Sequence, residues 1–251
     1  MQTLSNWSYL TLLLTGAVCA SMGIVTIIVW HAGILSLIQT SPDSVPIVYN
    51  EALLFVLCGA GLILLAINRP RAAAVCGGAT VLLAVTTMAE ILFNWQLGLD
   101  QLFVRDIQID RAPYPGRMIF PTSLAFLLAG ASLLVSGLTS ISYAVVMAGL
   151  WGGTILVLDV VCAVYLLAGL PLSGLAHWST MPWQTMSWQT LLGLCVLGIG
   201  ILTLAWHKPL TTIRWINRRK TLAVGVAVSI AAVGGGLGPR FRRGSPRRAL
   251  V

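Results

Sequence analysis

The sequence predicts an all-α fold, a polytopic membrane bundle of six to seven transmembrane helices built from repeated helix pairs. Three observations predict it. First, 57% of the 251 residues are hydrophobic and only 9% are charged, whereas a soluble domain carries roughly 25% charged residues. Second, the apolar residues fall in continuous runs, and a membrane-crossing helix needs about 20 of them. Third, the chain echoes itself. Asn50-Glu-Ala-Leu-Leu-Phe-Val-Leu-Cys-Gly59 aligns without gaps on Pro121-Thr-Ser-Leu-Ala-Phe-Leu-Leu-Ala-Gly130, and a fainter copy runs Gln189-Thr-Leu-Leu-Gly-Leu-Cys-Val-Leu-Gly198. The closing glycines are 71 and then 68 residues apart, enough for two crossings and their loops. Such periods identify repeat architectures.

The spans follow in order. Span 1 is Tyr9 to Trp30, span 2 Ile47 to Ile67, span 3 Ala72 to Phe93 and span 4 Phe120 to Thr139. Span 5 is Tyr143 to Gly169, span 6 Trp188 to Trp206, and a weaker span 7 is Thr221 to Leu237. Backbone polar groups must be satisfied within hydrocarbon, so such runs are helical. A barrel would alternate apolar and polar residues over about 10 positions, and these runs do not. The first run has no basic segment before it and is longer than a signal-peptide core, so it reads as a retained span. Small residues recur after each repeat's apolar start, at Gly59-Ala-Gly61, Gly130-Ala131 and Gly198-Ile-Gly200. They predict a shared seam of close helix contact.

Charge sets the expected orientation. Arg69, Arg71, Lys208, Arg214, Arg218, Arg219 and Lys220 fall in loops of one face, with no acids. The opposite loops hold Asp43, Asp100, Asp106 and Asp110 with Arg105, Arg111 and Arg117. The positive-inside rule places the first face, and the N-terminus, in the cytoplasm. Trp30, Trp95, Trp183, Trp188 and Trp206 sit near span ends, as interfacial belts predict. The tail breaks the pattern: if span 7 crosses, the five arginines of Pro239-Arg-Phe-Arg-Arg-Gly-Ser-Pro-Arg-Arg248 lie outside. Either span 7 does not cross, or the tail reflects a truncated or frameshifted reading frame. Residues 207–220 read as a basic loop, 221–238 as the weak span and 239–251 as a disordered tail.

The net charge of +8 reads as topogenic. The bases form no stripe interleaved with aromatics, so nucleic acid is not an expected partner. Cys19, Cys58, Cys76, Cys162 and Cys195 all fall within apolar runs, form no CxxC pair, and read as small buried hydrophobes.

The loops flanking the repeat carry further pattern. Glu90-Ile-Leu-Phe-Asn-Trp-Gln-Leu-Gly-Leu-Asp-Gln-Leu-Phe-Val-Arg105 is followed by Pro115-Gly-Arg-Met118 and by the helix start Pro121-Thr-Ser-Leu124. Together these resemble the multi-span membrane sensory region found at the N-terminus of bacterial signalling proteins, ahead of PAS, histidine-kinase or diguanylate-cyclase (GGDEF) modules. The family pattern is Leu-Gly-Ile-Asp-Gln-Leu, then Pro-Gly-Arg-Met, then an Asn-Thr-Ala-Leu helix start. In this chain the asparagine and alanine of that start are changed. The resemblance spans about residues 9 to 206 and implies a sensory input domain of the bacterial inner membrane. It also implies a downstream kinase or cyclase module as partner, and a homodimer is a further expected state.

The chain itself is expected to be non-enzymatic, with no cofactor and no metal. It has three histidines, His31, His177 and His207, no Walker A sequence and no HExxH. The residues expected to sense a signal are Asp159, Glu90, Asp100 and Asn94. Glu90 and Asp159 are acids within spans. A charge at mid-membrane costs at least about 2.5–3.5 kcal/mol, so both should face the bundle interior. Aligning Leu97-Gly-Leu99 with Leu170-Pro-Leu172 places Asp159 at the repeat position of residue 86, on the same helix face as Glu90. Asn94 and Asp100 belong to the longest polar connection, 26 residues from Asn94 to Ile119, a length typical of functional loops. Glu51 reads as an acid suited to a helix N-terminus. A cage of Trp178, Trp183 and Trp188 for a cationic ligand is a weaker expectation than interfacial anchoring. Two rival functions remain: a small transporter or channel, and a membrane scaffold.

Overall fold

A computed structural model describes residues 6–34, 47–93, 95, 97–98, 117–139, 142–168 and 186–207. Six helices run through them: α1 (Asn6–Ala32), α2 (Tyr49–Ala66), α3 (Pro70–Phe93), α4 (Phe120–Leu138), α5 (Ser142–Leu167) and α6 (Trp188–His207). All six are long and apolar enough to cross a membrane. Each corresponds to one predicted span, with ends shifted by at most three residues. Span 7, the basic loop and the arginine-rich tail lie outside the described residues.

Local chemistry accounts for the helix ends. Gly33 (φ 69°) and Asn68 (φ 63°) occupy the left-handed region after α1 and α2. At each, its own amide and the following one close back on the last turn: Gly33 N on Trp30 O at 3.3 Å with Ile34 N on Val29 O at 3.2 Å, and Asn68 N on Leu65 O at 3.1 Å with Arg69 N on Leu64 O at 2.7 Å. This is the Schellman arrangement, which glycine and asparagine tolerate best. Proline follows at Pro70 to open α3, and Pro121 stands in the first turn of α4, where its missing N–H costs nothing.

The helices pack antiparallel as three pairs, α1 with α2, α3 with α4, and α5 with α6. The pairs close into a ring, since α6 also packs on α1. The even-numbered helices α2, α4 and α6 each touch the other two and form an inner triangle, while α1, α3 and α5 fill the outer angles. The sequence echo is therefore spatial: its three copies begin the three inner helices.

The repeat extends as layers down the bundle axis. Phe55, Phe126 and Leu194 are equivalent, as are Cys58, Ala129 and Leu197, and then Leu62, Leu133 and Ile201. All nine are 2% exposed or less and belong to one cluster. Steps of three and four residues keep one helix face on the axis. Phe55 and Phe126 meet edge to face, with centroids 4.8 Å apart at 77°.

Glycines hold each pair together. A β-carbon added at Gly59 would lie 2.6 Å from Gly16 O, and one at Gly77 would lie 2.6 Å from Gly130 O. These backbones touch directly, as small residues permit in lipid. The seam predicted from the recurring small residues is present at Gly59 and Gly130, which meet Gly16 and Gly77 of the outer helices, whereas Gly198 meets the Leu156 and Ile155 side chains.

Cys19, Cys58 and Cys162 are buried, Cys76 and Cys195 half-buried, and all five are free. Trp95 and Trp188 are about half exposed at helix ends, as a belt requires. Trp30 departs from its expected belt position. It is 4% exposed, and its indole Nε1 donates to Ile47 O at 2.9 Å. A buried indole N–H needs a hydrogen-bond acceptor, and the Ile47 carbonyl supplies it here.

Candidate functional site

Buried polar side chains gather toward one end of the bundle, where α2, α4 and α6 begin and α1, α3 and α5 finish. Glu51 (6% exposed), Thr122 (0%) and Thr190 (1%) hold the same repeat position on the three inner helices, one turn before the Phe55, Phe126 and Leu194 layer. Four positions earlier stand Ile47, Met118 and Met186, also equivalent and also buried. A polar layer is thus enclosed between two apolar ones.

Hydrogen bonds within this layer run in one direction. Ser187 caps α6, its Oγ accepting the Thr190 amide at 3.1 Å. The Ser187 and Thr190 hydroxyls are 2.8 Å apart, and Thr190 Oγ1 donates to Glu51 Oε2 at 2.9 Å. With the Thr190 proton committed to the carboxylate, the Ser187 hydroxyl is the donor to Thr190. Thr122 Oγ1 is buried with no hydrogen-bond partner, and no cation pairs with Glu51 among the described residues. Glu51 stands in the first turn of α2, as expected of an acid at a helix N-terminus, and its side chain also reaches across to α6.

The two predicted intramembrane acids are both buried, at different places. Glu90 is 0% exposed at the last turn of α3. Its Oε1 accepts the Leu97 amide at 3.0 Å. Arg117, 8% exposed, donates through Nη2 to Trp95 O at 3.0 Å. Glu90 and Arg117 therefore grip the same short stretch after α3 from two sides. Arg117 was expected in the solvated connection and is instead buried. Replacing Glu90 by leucine leaves the Leu97 amide without its acceptor, a loss of about 1–3 kcal/mol. Chymotryptic cleavage beside Trp95 is expected to accelerate in that variant, and a wild-type rate would contradict the role.

Asp159 is 8% exposed on α5, and its Oδ1 has no hydrogen-bond partner. Cys162, three residues further along the same face of α5, is also buried. Its repeat register differs from the expected one. Gly77 packs on Leu134 N and Gly152 on Leu202 N, and Leu134 and Leu202 are equivalent by the 68-residue spacing. Gly77 and Gly152 are 75 residues apart, which pairs Asp159 with Ala84 and not with position 86. Ala84 is fully buried, as the interior position requires.

Asn94 and Asp100, with Trp178 and Trp183 of the cage, lie outside the described residues. No group of three or more His, Cys, Asp or Glu side chains suited to a metal ion occurs among the described residues.

Taken together, fold and site define an integral membrane protein of the helical-bundle class. The chain matches no protein-family model, no curated protein and no solved structure.

Proposed function

We propose that the chain is a membrane sensory input domain, itself non-catalytic, that receives a signal at the polar end of the bundle and relays it to a kinase or cyclase module. One observation carries the reading: the three inner helices each bring an equivalent side chain, Glu51, Thr122 and Thr190, into one buried polar layer. An occupant of that layer touches α2, α4 and α6 at once, so it biases their mutual packing. Continuous helices joined by glycine seams shift as rods, and packed interfaces move between discrete arrangements. The resemblance of the 90–124 segment to bacterial sensory regions supports the same reading, as it does a bacterial inner-membrane location, a cytoplasmic N-terminus and a homodimer.

The experiment is a fusion of the chain to a reporter histidine kinase in a bacterial membrane. Signal-dependent kinase output supports the reading, and output that ignores every condition tested overturns it. Within the fusion, Asp159→Asn is expected to fold as wild type yet change output several-fold, because it alters the charge of a buried group with an unpartnered oxygen. Unchanged output would remove Asp159 from the mechanism. That same oxygen favours the second reading, a small transporter, because intramembrane acids also line ion pathways. Ion flux in proteoliposomes that is lost in Asp159→Asn would select it.

A further inference from the structure

We propose that the polar layer at the start of the inner helices binds a small alkali-metal cation, held by the Glu51 carboxylate and the Thr122 and Thr190 hydroxyls. The inference names the ligand class of the site in the sensory reading and rests on that reading for its biological role.

The donors select the ligand. All three are oxygen atoms, the ligands of hard cations. The hydroxyl chain from Ser187 through Thr190 ends on Glu51, so its protons all point toward the carboxylate and stabilise its charge. Glu51 is 6% exposed, and no protein cation among the described residues offsets it. A buried carboxylate without a counter-charge is costly.

Thr122 gives an independent indication. Its hydroxyl is fully buried and has no partner, and buried polar groups in native proteins almost always have one. Thr122 precedes Phe126 by one turn, as Glu51 precedes Phe55, and the two rings touch. The hydroxyl and the carboxylate thus hold the same level on neighbouring helices, each one turn before a ring of the touching pair. A cation between them supplies the partner that Thr122 lacks and the counter-charge that Glu51 lacks.

Charge balance fixes the valence. One carboxylate matches a single positive charge, whereas a divalent ion would leave a net charge in a low-dielectric interior. Transition metals would call for His, Cys or further carboxylates, and among the described residues no such group of three or more occurs.

The test uses the full chain in lipid nanodiscs in choline chloride, titrated with NaCl or KCl at constant ionic strength. Thermal unfolding and tryptophan fluorescence are read. Wild type is expected to show a saturable rise in unfolding temperature with Na+ or K+. Glu51→Gln should weaken the apparent affinity roughly tenfold or more, because a charged ligand is lost. Should Glu51→Gln fail to fold, the Thr122 pair decides: Thr122→Ser keeps the response, and Thr122→Val weakens it. Absence of any cation-specific shift in wild type overturns the proposal, as does a wild-type response in Thr122→Val. Stabilisation by acid alone, with none from either metal ion, identifies the occupant as a proton and also overturns it. Cation binding without kinase output in the fusion would overturn the sensory reading and leave this one standing. Kinase output in the fusion with no cation binding would do the reverse.

Discussion

Replacing Gly77 by valine is expected to prevent the bundle from forming. A β-carbon at this position would lie 2.5 Å from Leu134 N and 2.6 Å from Gly130 O. Both are backbone atoms in the middle of α4, so no side chain can rotate away. The α3–α4 pair would have to separate along its seam and lose its dispersion contacts. Overpacking costs about 3 kcal/mol or more in such a case, and lipid offers no hydrophobic drive to restore the contact. The control is Gly78→Ala, whose added carbon would come no closer than 3.8 Å to a neighbour. Circular dichroism during denaturation in micelles should show an early or absent transition for Gly77→Val and a wild-type transition for Gly78→Ala. A wild-type midpoint for Gly77→Val would refute the seam.

The second large effect is expected at the aromatic layer. Phe55 and Phe126 are both 0% exposed, and each supplies the bulk between two other inner helices. Truncating either to alanine leaves a cavity where three helices meet, at a cost of about 3–5 kcal/mol. The edge-to-face contact should appear as a further coupling of about 0.5–1.5 kcal/mol in a double-mutant cycle. Additive single effects would mean that the rings fill space without recognising each other. Leu194 completes this layer, and the neighbouring Gly193 leaves room for the Phe55 ring. The layer is therefore built from two large side chains, a smaller one and a glycine against which one ring lies.

Much of this architecture was legible in the sequence, for a simple reason. Lipid demands long apolar runs, and their polar borders mark the helix ends, so the six spans were readable to within three residues. The echo was readable too, because equivalent packing positions retain Gly59, Gly130 and Gly198 while much around them drifts. What the echo meant was not readable. Nothing local distinguishes an inner helix from an outer one when both are apolar all round. Glu51 illustrates the limit. Third in its helix, it suits the helix dipole on any reading, and only the position of α6 reveals that it faces Thr190. Thr122 and Thr190 were visible in the aligned slot, yet a lone threonine carries no charge to draw notice. Asp159 was correctly expected to face the interior. Its repeat partner was misplaced by two residues, because the alignment leaned on Leu97-Gly-Leu99 and Leu170-Pro-Leu172 in connections, where lengths vary, and not on the glycine contacts. Trp30 and Arg117 look interfacial by type, yet both are buried, and each donates to a backbone carbonyl.

The ring closure has a consequence for biosynthesis. Pairs α1–α2 and α3–α4 can dock as soon as each leaves the ribosome, because their contacts are local. The partner of Glu51 is Thr190, 139 residues later. Until the sixth helix enters the bilayer, the acid in the second lacks the Thr190 hydroxyl and the inner triangle lacks a corner. The half-made protein thus displays an unsatisfied carboxyl within the membrane throughout elongation, and only completion conceals it. A chain stalled before α6 therefore carries its own mark of incompleteness, readable by any quality-control protease that recognises polar groups in lipid.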